Sequence, residues 1–458
     1  MSLDHNLADG KDAIVGIIEK AEEINDSLVT EDAAALQFAR RYVGTLRFCH
    51  SRGKWFLWTG AYWKIDDYGV AYTHCREIAR ELAEAEEDRV RVSAGKSAFV
   101  NGVERFCTKD KRFAVTASNF DTDPFLLGTP DGTIDLKTGE CRNATPEEGI
   151  SMITAVASDF VAGHPRWTSF LQEATGGDTG LIRFLQQWCG YCLTGSIREH
   201  ALLFIYGPGG NGKSVFINVI SEILGDYAKV AAMDTFTASK NERHSTDLAK
   251  LCGARLVTAS ETEENKSWAE ARIKQLTGGD AISARFMRQD YFEYRPSFKL
   301  TIVGNHQPAL QNVDDAMRRR LNLVGFNHKP KHPDKQLEEK LRAESPAILA
   351  WMIAGCRDWL ENGLARPQSV IAATETYFSE QDVIGQWLEE MCDVRLNDRS
   401  YIESVADLYS SWTKFAAEND ESAMSTKKFS SRMAARGFVK HRTDRVRSLV
   451  GLKLKRCV

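Results

Sequence analysis

Residues 201–214 read ALLFIYGPGGNGKS, and this stretch decides the fold. Its first six residues form a short apolar run, typical of a strand buried in a parallel sheet. The next eight complete the pattern Gly-x-x-x-x-Gly-Lys-Ser, and residues 215–224 continue with helical spacing. Strand, glycine-rich turn and helix in this order are the context that a phosphate loop requires. We therefore predict an α/β fold with a phosphate-binding core.

The glycine-rich loop carries the residue types that hold phosphate groups. Glycines let consecutive backbone N–H groups turn towards an anion, and the start of the following helix adds its dipole. We expect Lys213 to reach the β- and γ-phosphate oxygens of ATP, and Ser214 to hold Mg²⁺. The residues predicted to contact the nucleotide are Gly207, Pro208, Gly209, Gly210, Asn211, Gly212, Lys213, Ser214 and Val215.

Two later strands end in polar residues that suit hydrolysis. Residues 255–263 read as an apolar strand ending in carboxylates. Glu261 is the better candidate for ordering Mg²⁺ with Ser214 and for polarising the attacking water. An exposed acidic loop is the alternative there. Residues 298–305 read as another buried strand, and Asn305 at its end would orient water beside the γ-phosphate without adding charge.

A run of three arginines precedes the last apolar strand of this region. Residues 314–320 read DDAMRRR, and 321–326 form the strand. Arginine is suited to stabilising the charge that develops in phosphoryl transfer, often from a neighbouring subunit. A solvated basic turn is the alternative, and the run by itself does not decide between the two.

The flanking regions divide the chain into three predicted domains. Residues 1–160 form a mixed α+β domain, helical to about Gly53, with a strand hairpin over 54–64 and a turn-strand-turn signal over 131–139. The hairpin's aromatic residues would either stack bases or fill an ordinary sheet core. Residues 161–365 hold the ATPase domain. Residues 366–458 are helices and a basic tail, which suit a winged-helix-like α+β domain.

Composition excludes several classes of protein. A chain of 458 residues exceeds one ordinary core, and its net charge of −4 gives no global attraction to nucleic acid, so any DNA contact must be local. No apolar run approaches the roughly 20 residues that span a bilayer, which excludes a membrane protein. The first five residues lack a signal-peptide layout and the ten cysteines are scattered, so we expect a cytoplasmic protein without disulfides.

The order of these motifs resembles the superfamily 3 helicases, specifically the poxvirus-type and phage or plasmid primase-helicase branch. The resemblance covers about residues 170–326, including Thr-Gly-Gly-Asp at 277–280. It implies an AAA+-like core assembled as a homo-hexameric ring, with ATP and Mg²⁺ bound between subunits. Such a ring moves 3′ to 5′ on single-stranded or forked DNA during replication of a phage, plasmid or other mobile element.

The resemblance also assigns roles to residues of the core. Lys213 and Ser214 fall on the Walker A motif, Asn305 on sensor 1, and Glu261 on Walker B, with Glu263 as second choice. The family's paired arginines fall on Arg319 and Arg320, one of which would act on the nucleotide of the adjacent subunit. Which of the two does so stays open.

Residues 280–291 fit the hairpin with which this family holds DNA in the central pore. Arg285 and Arg288 would grip phosphates, Phe286 would pack or contact sugars, and Lys274 lies just upstream. A hairpin with a purely structural role is the alternative.

Some features depart from the family's pattern. The first 160 residues contain no polymerase-type acidic motif or zinc ribbon, so a separate primase or polymerase would be a partner. Ser260 stands where many ATPases carry aspartate, and Gly325 where this branch tends to have proline. The same motifs would also serve an ATP-switched initiator or loader that assembles on DNA without processive unwinding. An inactive structural ring is disfavoured, because loop, acid, sensor and arginines are all present.

Overall fold

The computed structural model describes residues 28–238, 245–260, 267–287, 290–310, 314–330, 332–419, 423–442 and 446–455. Helices in these residues pack around several sheets. Five further segments are short helical turns. The 3₁₀ turns lie at Ala117–Asn119, Pro146–Glu148, Gly225–Tyr227 and Met233–Thr235. The short α-helical turn lies at Ser245–Ala249.

Helices pack on a small sheet in the N-terminal region. The helices are α1 (Glu31–Tyr42), α2 (Val70–Leu82), α3 (Asp88–Ala94) and α4 (Ser97–Lys109). The strands are β1 (Leu46–Cys49), β2 (Lys54–Trp58), β3 (Trp63–Ile65) and β4 (Ala114–Val115), in the order β3-β2-β1-β4. The predicted hairpin over 54–64 is confirmed, because β2 and β3 pair antiparallel. The helical prediction up to Gly53 is wrong over β1, because these residues pair with β2 instead of continuing a helix.

The aromatic residues of this hairpin face the interior. Trp55, Phe56 and Trp63 are 6%, 1% and 0% exposed. Trp55 contacts the rings of Phe38 and Phe113, in a core shared with α1, α2 and α4. For these three side chains the structure shows the sheet-core alternative, because a buried ring offers no face for stacking a base.

A three-stranded sheet joins the N-terminal region to the central core. Its strands are β5 (Leu126–Thr129), β6 (Gly132–Asp135) and β7 (Glu140–Arg142), which confirms the predicted strand within 131–139. Leu127 and Ile134 are fully buried in the same hydrophobic cluster as Trp188 and Phe216. The core of the central region therefore includes residues on the N-terminal side of the predicted boundary at 160.

The central region is built on a five-stranded parallel sheet. Its strands are β8 (Leu202–Tyr206), β9 (Ala228–Val230), β10 (Leu256–Ser260), β13 (Lys299–Gly304) and β14 (Leu321–Gly325). Their order across the sheet is β14-β8-β13-β10-β9. Strand β8, which leads into the phosphate loop, pairs with β13 on one side and β14 on the other. The predicted buried parallel strand at 201–206 is thus confirmed.

A separate antiparallel hairpin is formed by β11 (Ile282–Ala284) and β12 (Phe292–Tyr294). Helices cover both faces of the parallel sheet. The helices are α5 (Pro165–Thr175), α6 (Thr179–Cys192), α7 (Lys213–Leu224), α8 (Ser245–Ala249), α9 (Glu270–Gly278), α10 (Asp315–Arg320), α11 (Leu337–Arg342), α12 (Ser345–Asn362) and α13 (Gln368–Glu380). The hydroxyl of Thr374 in α13 accepts a hydrogen bond from the N–H of Leu323 in β14, so α13 covers the sheet beyond the predicted boundary at 365.

The C-terminal region has a hydrophobic cluster of its own, which includes Trp387, Trp412 and Phe429. Its elements are α14 (Val383–Met391), β15 (Cys392–Val394), β16 (Ile402–Ser404), α15 (Val405–Glu418), α16 (Thr426–Ala435), β17 (Val439–Arg442), β18 (Arg447–Val450) and β19 (Leu452–Leu454). Strands β16, β18 and β17 form one sheet in that order, and β15 pairs with β19. The predicted terminal strand pair after helices is confirmed in β17 and β18.

Helices α6 and α12 cross with their backbones nearly in contact. A Cβ atom added to Gly190 would lie 2.0 Å from the backbone nitrogen of Cys356, and one added to Gly355 would lie 2.2 Å from the carbonyl oxygen of Gln186. Both glycines are buried, and the atoms that an added Cβ would meet first belong to the backbone, which cannot move aside in a close-packed core. The two glycines therefore set the distance between the helices.

We predict that Gly190→Ala lowers the free energy of unfolding by about 1–3 kcal/mol, because the methyl group forces the backbones of α6 and α12 apart. The measurement is a denaturant or thermal melt of the full chain. Gly95→Ala is the matched control, since its added Cβ would lie 3.4 Å from its nearest neighbour, the carbonyl oxygen of Arg91. Equal melting curves for the two variants would contradict the close-contact interpretation.

Candidate functional site

The loop at 207–212 joins β8 to α7 at the carboxyl edge of the parallel sheet. Gly207, Gly210 and Gly212 have φ angles of +145°, +79° and +85°, which side-chain-bearing residues rarely adopt. A Cβ atom on Gly207 would lie 2.2 Å from the carbonyl oxygen of Phe326. The glycines that the motif requires are therefore also required by the fold, because the loop turns directly against the end of β14.

The side chain of Lys213 folds back into this loop. Its ammonium group donates hydrogen bonds to the carbonyl oxygen of Gly207 at 2.6 Å, the amide oxygen of Asn211 at 3.0 Å and the amide oxygen of Asn305 at 3.1 Å. Lys213 is only 6% exposed, and burial lowers its pKa. The described partners are neutral oxygens, so the positive charge is not cancelled by them and is available to an anion.

Asn305 reaches Lys213 because β13 lies beside β8. Gly304, the last residue of β13, pairs with Tyr206, the last residue of β8, so the residues that follow emerge at the same level. In parallel sheets, ligands bind outside the carboxyl ends of the strands. The structure therefore brings together two of the residues predicted from the sequence, Lys213 and Asn305, although they lie far apart in the chain.

Asn211 does more than contribute to a loop. Its side chain is 3% exposed, its amide nitrogen donates to the carbonyl oxygen of Phe326, and its amide oxygen accepts from Lys213. One side chain thus links the phosphate-loop lysine to the residue that follows β14. The sequence predicted Asn211 as a nucleotide contact and gave no sign of this bridge, whose partner lies 115 positions away.

Aromatic rings support the loop from below. Trp167 stacks on Phe216 at 5.7 Å between ring centroids, and Phe216 meets Phe326 edge to face at 5.9 Å. A Cβ atom on Gly212 would lie 2.6 Å from the ring of Phe170, so this ring lies against the loop backbone. The loop consequently rests on a rigid apolar base made from α5, α7 and the end of β14.

The predicted metal ligands are only partly described. Ser214 is exposed in the first turn of α7, where its hydroxyl is accessible. Strand β10 ends at Ser260, which pairs with Val303, one residue before the end of β13. Glu261 and Glu263 lie outside the described residues. Within the described ranges, no group of three or more His, Cys, Asp or Glu side chains could hold a metal ion.

The three consecutive arginines of α10 have different surroundings. The guanidinium of Arg318 lies over the ring of Phe378 at 5.1 Å. Arg320 is half-buried and donates from Nε to the hydroxyl of Thr277 at 3.1 Å. Arg319 is exposed, and its side chain donates locally, from Nε to the carbonyl oxygen of Asp315 at 3.3 Å. Arg318 and Arg319 are both exposed, but among the described residues only Arg318 lies against a ring, so the guanidinium of Arg319 is the less constrained of the two.

A hairpin forms where the resemblance predicts one, as the antiparallel pair β11 with β12, but its second strand lies beyond the predicted bound at 291. Arg285 lies over the ring of Tyr291 at 4.7 Å, and Phe286 stacks on Phe292 at 5.8 Å. Met287 is 78% exposed and Tyr291 60%, so apolar and aromatic surface faces outwards at this end. Arg288 lies outside the described residues.

Lys274, predicted beside this hairpin as a DNA contact, lies on helix α9. Its ammonium group forms an ion pair with the carboxylate of Asp314, the residue that caps the start of α10. Its ammonium group is therefore paired with a carboxylate at the start of a neighbouring helix, whereas Arg285 and Phe286 belong to the hairpin itself.

Comparison with known families finds two matches along this chain. Residues 35–176 match the family described as "D5 N terminal like". Residues 205–320 match a family of unknown function, DUF5906. The second match begins inside β8 and ends with α10, so it contains the phosphate loop, Asn305 and the arginines.

Several viral proteins are similar in sequence. The candidate helicase L207/L206 of Acanthamoeba polyphaga mimivirus is 25% identical over 378 residues, which cover 75% of this chain and 39% of that protein. The candidate helicase 022R of Frog virus 3 is 26% identical over 284 residues, 57% of this chain and 28% of that protein. The candidate primase C962R of African swine fever virus is 24% identical over 271 residues, 55% and 27% respectively. This chain spans well under half the length of these relatives.

A solved structure with a similar fold is the apo C-terminal region of NrS-1. It superposes with a TM-score of 0.50 at 10% sequence identity and covers 89% of this chain and 96% of that one. At this identity the likeness concerns the fold alone. Together, the matches relate the chain to D5-like helicase and primase proteins of large DNA viruses. Within the described residues, no helix is long and apolar enough to cross a membrane.

We predict that Gly207→Ala lowers the affinity for a fluorescent ATP analogue at least about tenfold, since the added methyl strains the loop and displaces Asn211 or the end of β14. Gly209→Ala is the matched control within the same loop. Its φ is not positive and its Cβ would meet no atom within 4 Å, so it should lose far less affinity. An equal loss of affinity in both variants would show that the close packing of Gly207 against the end of β14 does not determine nucleotide binding.

Proposed function

We propose that this chain is the motor of an ATP-driven DNA helicase of the superfamily 3 type, acting in the replication of a virus, phage, plasmid or other mobile element. The observation that supports this best is the contact between Lys213 and Asn305 at the ends of neighbouring parallel strands. A phosphate loop alone indicates nucleotide binding. A neutral amide beside the lysine adds a group that can orient the attacking water.

The strand order supports an AAA+-like core as part of the proposal. Numbered along the chain, the five parallel strands β8, β9, β10, β13 and β14 lie in the order 5-1-4-3-2 across the sheet. The phosphate loop follows the first strand and Asn305 follows the fourth, and these two are neighbours. We propose three units, residues 1–160, 161–365 and 366–458, with the middle unit as the ATPase, against which Leu127, Ile134 and helix α13 pack from outside its bounds.

The catalytic roles follow from chemistry at this edge of the sheet. Loop N–H groups and Lys213 would hold the phosphates of ATP, and Ser214 with Glu261 would hold Mg²⁺. When bound, Mg²⁺ neutralises charge on the β- and γ-phosphates. Lys213 would exchange its carbonyl and amide partners for phosphate oxygens, and Asn305, released from the lysine, would be free to orient water.

The proposed assembly is a homo-hexameric ring that encloses one strand of DNA and moves 3′ to 5′, as the resemblance to superfamily 3 implies. In such a ring, one subunit completes the ATP site of the next. Arg319 is the better candidate for this role, because Arg320 is held by Thr277 within its own subunit and Arg318 by Phe378. Arg285 and Phe286 would contact the strand from the hairpin, together with Arg288.

The C-terminal unit fits a winged-helix-like domain that binds DNA or a partner protein. Its order of β16, α15, α16, β17 and β18, with the three strands in one sheet, is that of a helix-turn-helix followed by a hairpin wing. Residues 425–458 contain eleven Lys and Arg but one acidic residue, although the whole chain has a net charge of −4. Positive charge is therefore concentrated where phosphate contacts would be useful.

We predict that the native chain unwinds a forked duplex carrying a 3′ tail in the presence of ATP and Mg²⁺, and leaves a 5′-tailed fork paired. Lys213→Ala should lower ATP turnover about 100-fold or more and abolish unwinding, because it removes the ammonium group that lies in the phosphate loop. Turnover stimulated by single strands without unwinding of either fork would favour an ATP-switched loader. If the native chain does not bind nucleotide, both the helicase and the loader are excluded.

We predict that Arg319→Ala binds ATP normally but loses turnover by about a thousandfold, because the missing guanidinium belongs to the neighbour's site. Mixing Arg319→Ala subunits with Lys213→Ala subunits should restore part of the activity. In such mixed rings some interfaces combine an intact Lys213 with an intact Arg319. Mixing Arg319→Ala with Arg319→Ala, Lys213→Ala double-variant subunits is the control and should restore nothing. Lack of recovery in the first mixture would contradict action in trans.

A further inference from the structure

Helix α10, which carries the three arginines, is fastened to helix α9 at both of its ends. At its start, Asp314 forms an ion pair with Lys274 of α9 and caps α10 by accepting from the N–H of Met317 at 2.8 Å. At its end, Arg320 donates to the hydroxyl of Thr277 of α9 at 3.1 Å. Two contacts six residues apart fix both the position and the direction of α10.

Helix α9 in turn leads directly into the hairpin. It ends at Gly278, and β11 begins at Ile282 after Gly279, whose φ is +83°. Arg295, just after β12, donates to the carbonyl oxygen of Gly279 at 3.0 Å. The end of α9 and both arms of the hairpin therefore belong to one connected piece of structure.

The far side of this piece is also held. The carbonyl oxygen of Thr277 accepts a hydrogen bond from the ring nitrogen Nδ1 of His200, which precedes β8. The hydroxyl and the carbonyl of Thr277 thus contact two different elements, the arginine helix and the start of the strand that leads to the phosphate loop. Thr277 is 3% exposed, so its side of both contacts is buried.

We infer that Lys274 and Thr277 are positioning residues that couple the hairpin to the arginine helix. A displacement of the hairpin by a bound strand moves α9, and the Lys274–Asp314 and Thr277–Arg320 contacts carry that movement to α10. The position of Arg319 at the neighbouring subunit's nucleotide then depends on the strand. The inference rests on the proposed function, and it gives Lys274 a different role from the DNA contact predicted from the sequence.

The two roles of Lys274 differ in what a substitution changes. A lysine that contacts a phosphate contributes to the affinity for DNA and to its salt dependence. A lysine that orients α10 contributes to the response that bound DNA evokes. Coupling between two sites is a free energy, measured as the ratio by which one ligand changes the effect of the other.

The test is ATP turnover of the full chain at increasing concentrations of a single-stranded oligonucleotide, with the affinity for that oligonucleotide measured separately by fluorescence anisotropy. In Lys274→Met, the ratio of turnover at saturating DNA to turnover without DNA should fall about fivefold, the size of a partly buried ion pair's effect. DNA affinity should stay within about twofold of the native value. Lys274→Arg, which keeps the charge, should retain most of the response.

Two further variants separate coupling from general damage. Asp314→Asn keeps a cap for α10 but removes the charge, and combined with Lys274→Met it should cost no more than either change alone, because both remove one contact. Lys229→Met is the matched control, since Lys229 is an exposed lysine on edge strand β9. It should leave the stimulation ratio and DNA affinity unchanged.

The outcomes distinguish the inference from the function on which it rests. A weakened DNA affinity with a native stimulation ratio in Lys274→Met would overturn the coupling and restore the DNA-contact role. Additive losses in the double variant would also overturn it, because the two side chains would then act separately. If the native chain hydrolyses ATP but shows no response to DNA, the proposed function fails, and the coupling with it.

Discussion

The hydrogen bonds of the Lys213 ammonium are the interaction on which the rest of the site depends. They join three parts of the chain: the glycine at the start of the loop, Asn211 within it, and Asn305 at the end of the neighbouring strand. A buried ammonium needs such acceptors, because a charge removed from water without hydrogen bonds is strongly unfavourable. The same acceptors must be exchangeable if a phosphate is to take their place, and neutral oxygens meet both requirements.

Local patterns predicted the secondary structure around this site well. The buried strand at 201–206, the helix after the loop and the hairpin at 54–64 were predicted from residue patterns, and the structure confirms them. The hairpin near 280–291 was expected only from the resemblance to superfamily 3, and its second strand lies further along the chain, at Phe292–Tyr294. Residue patterns depend on neighbours in sequence. The strand at Leu46–Cys49 was missed because its partner, not its own spacing, determines its conformation.

Contacts between residues far apart in the chain could not be predicted from the sequence. Nothing in the residues around Asn211 points to Phe326. Nothing in a run of three arginines shows that Arg320 contacts Thr277, that Arg318 contacts Phe378, and that the described side-chain contact of Arg319 is to its own helix. Adjacent helical residues point in directions about 100° apart, so identical side chains meet different surroundings. Only the order of strands and the packing of helices decide which surroundings those are.

The length of α10 explains why its attachments matter. A helix of six residues is far below the length at which a helix is stable by itself in water, so its orientation is determined by what holds it. One end is held by Asp314 with Lys274, the other by Arg320 with Thr277, and both partners lie on α9. The third arginine, Arg318, adds a contact to Phe378 on α13, which covers the sheet. An element held in this way cannot drift independently. Helix α10 either moves with α9 or keeps its position against α13. Movement of the hairpin at the end of α9 would change which of these two positions is favoured.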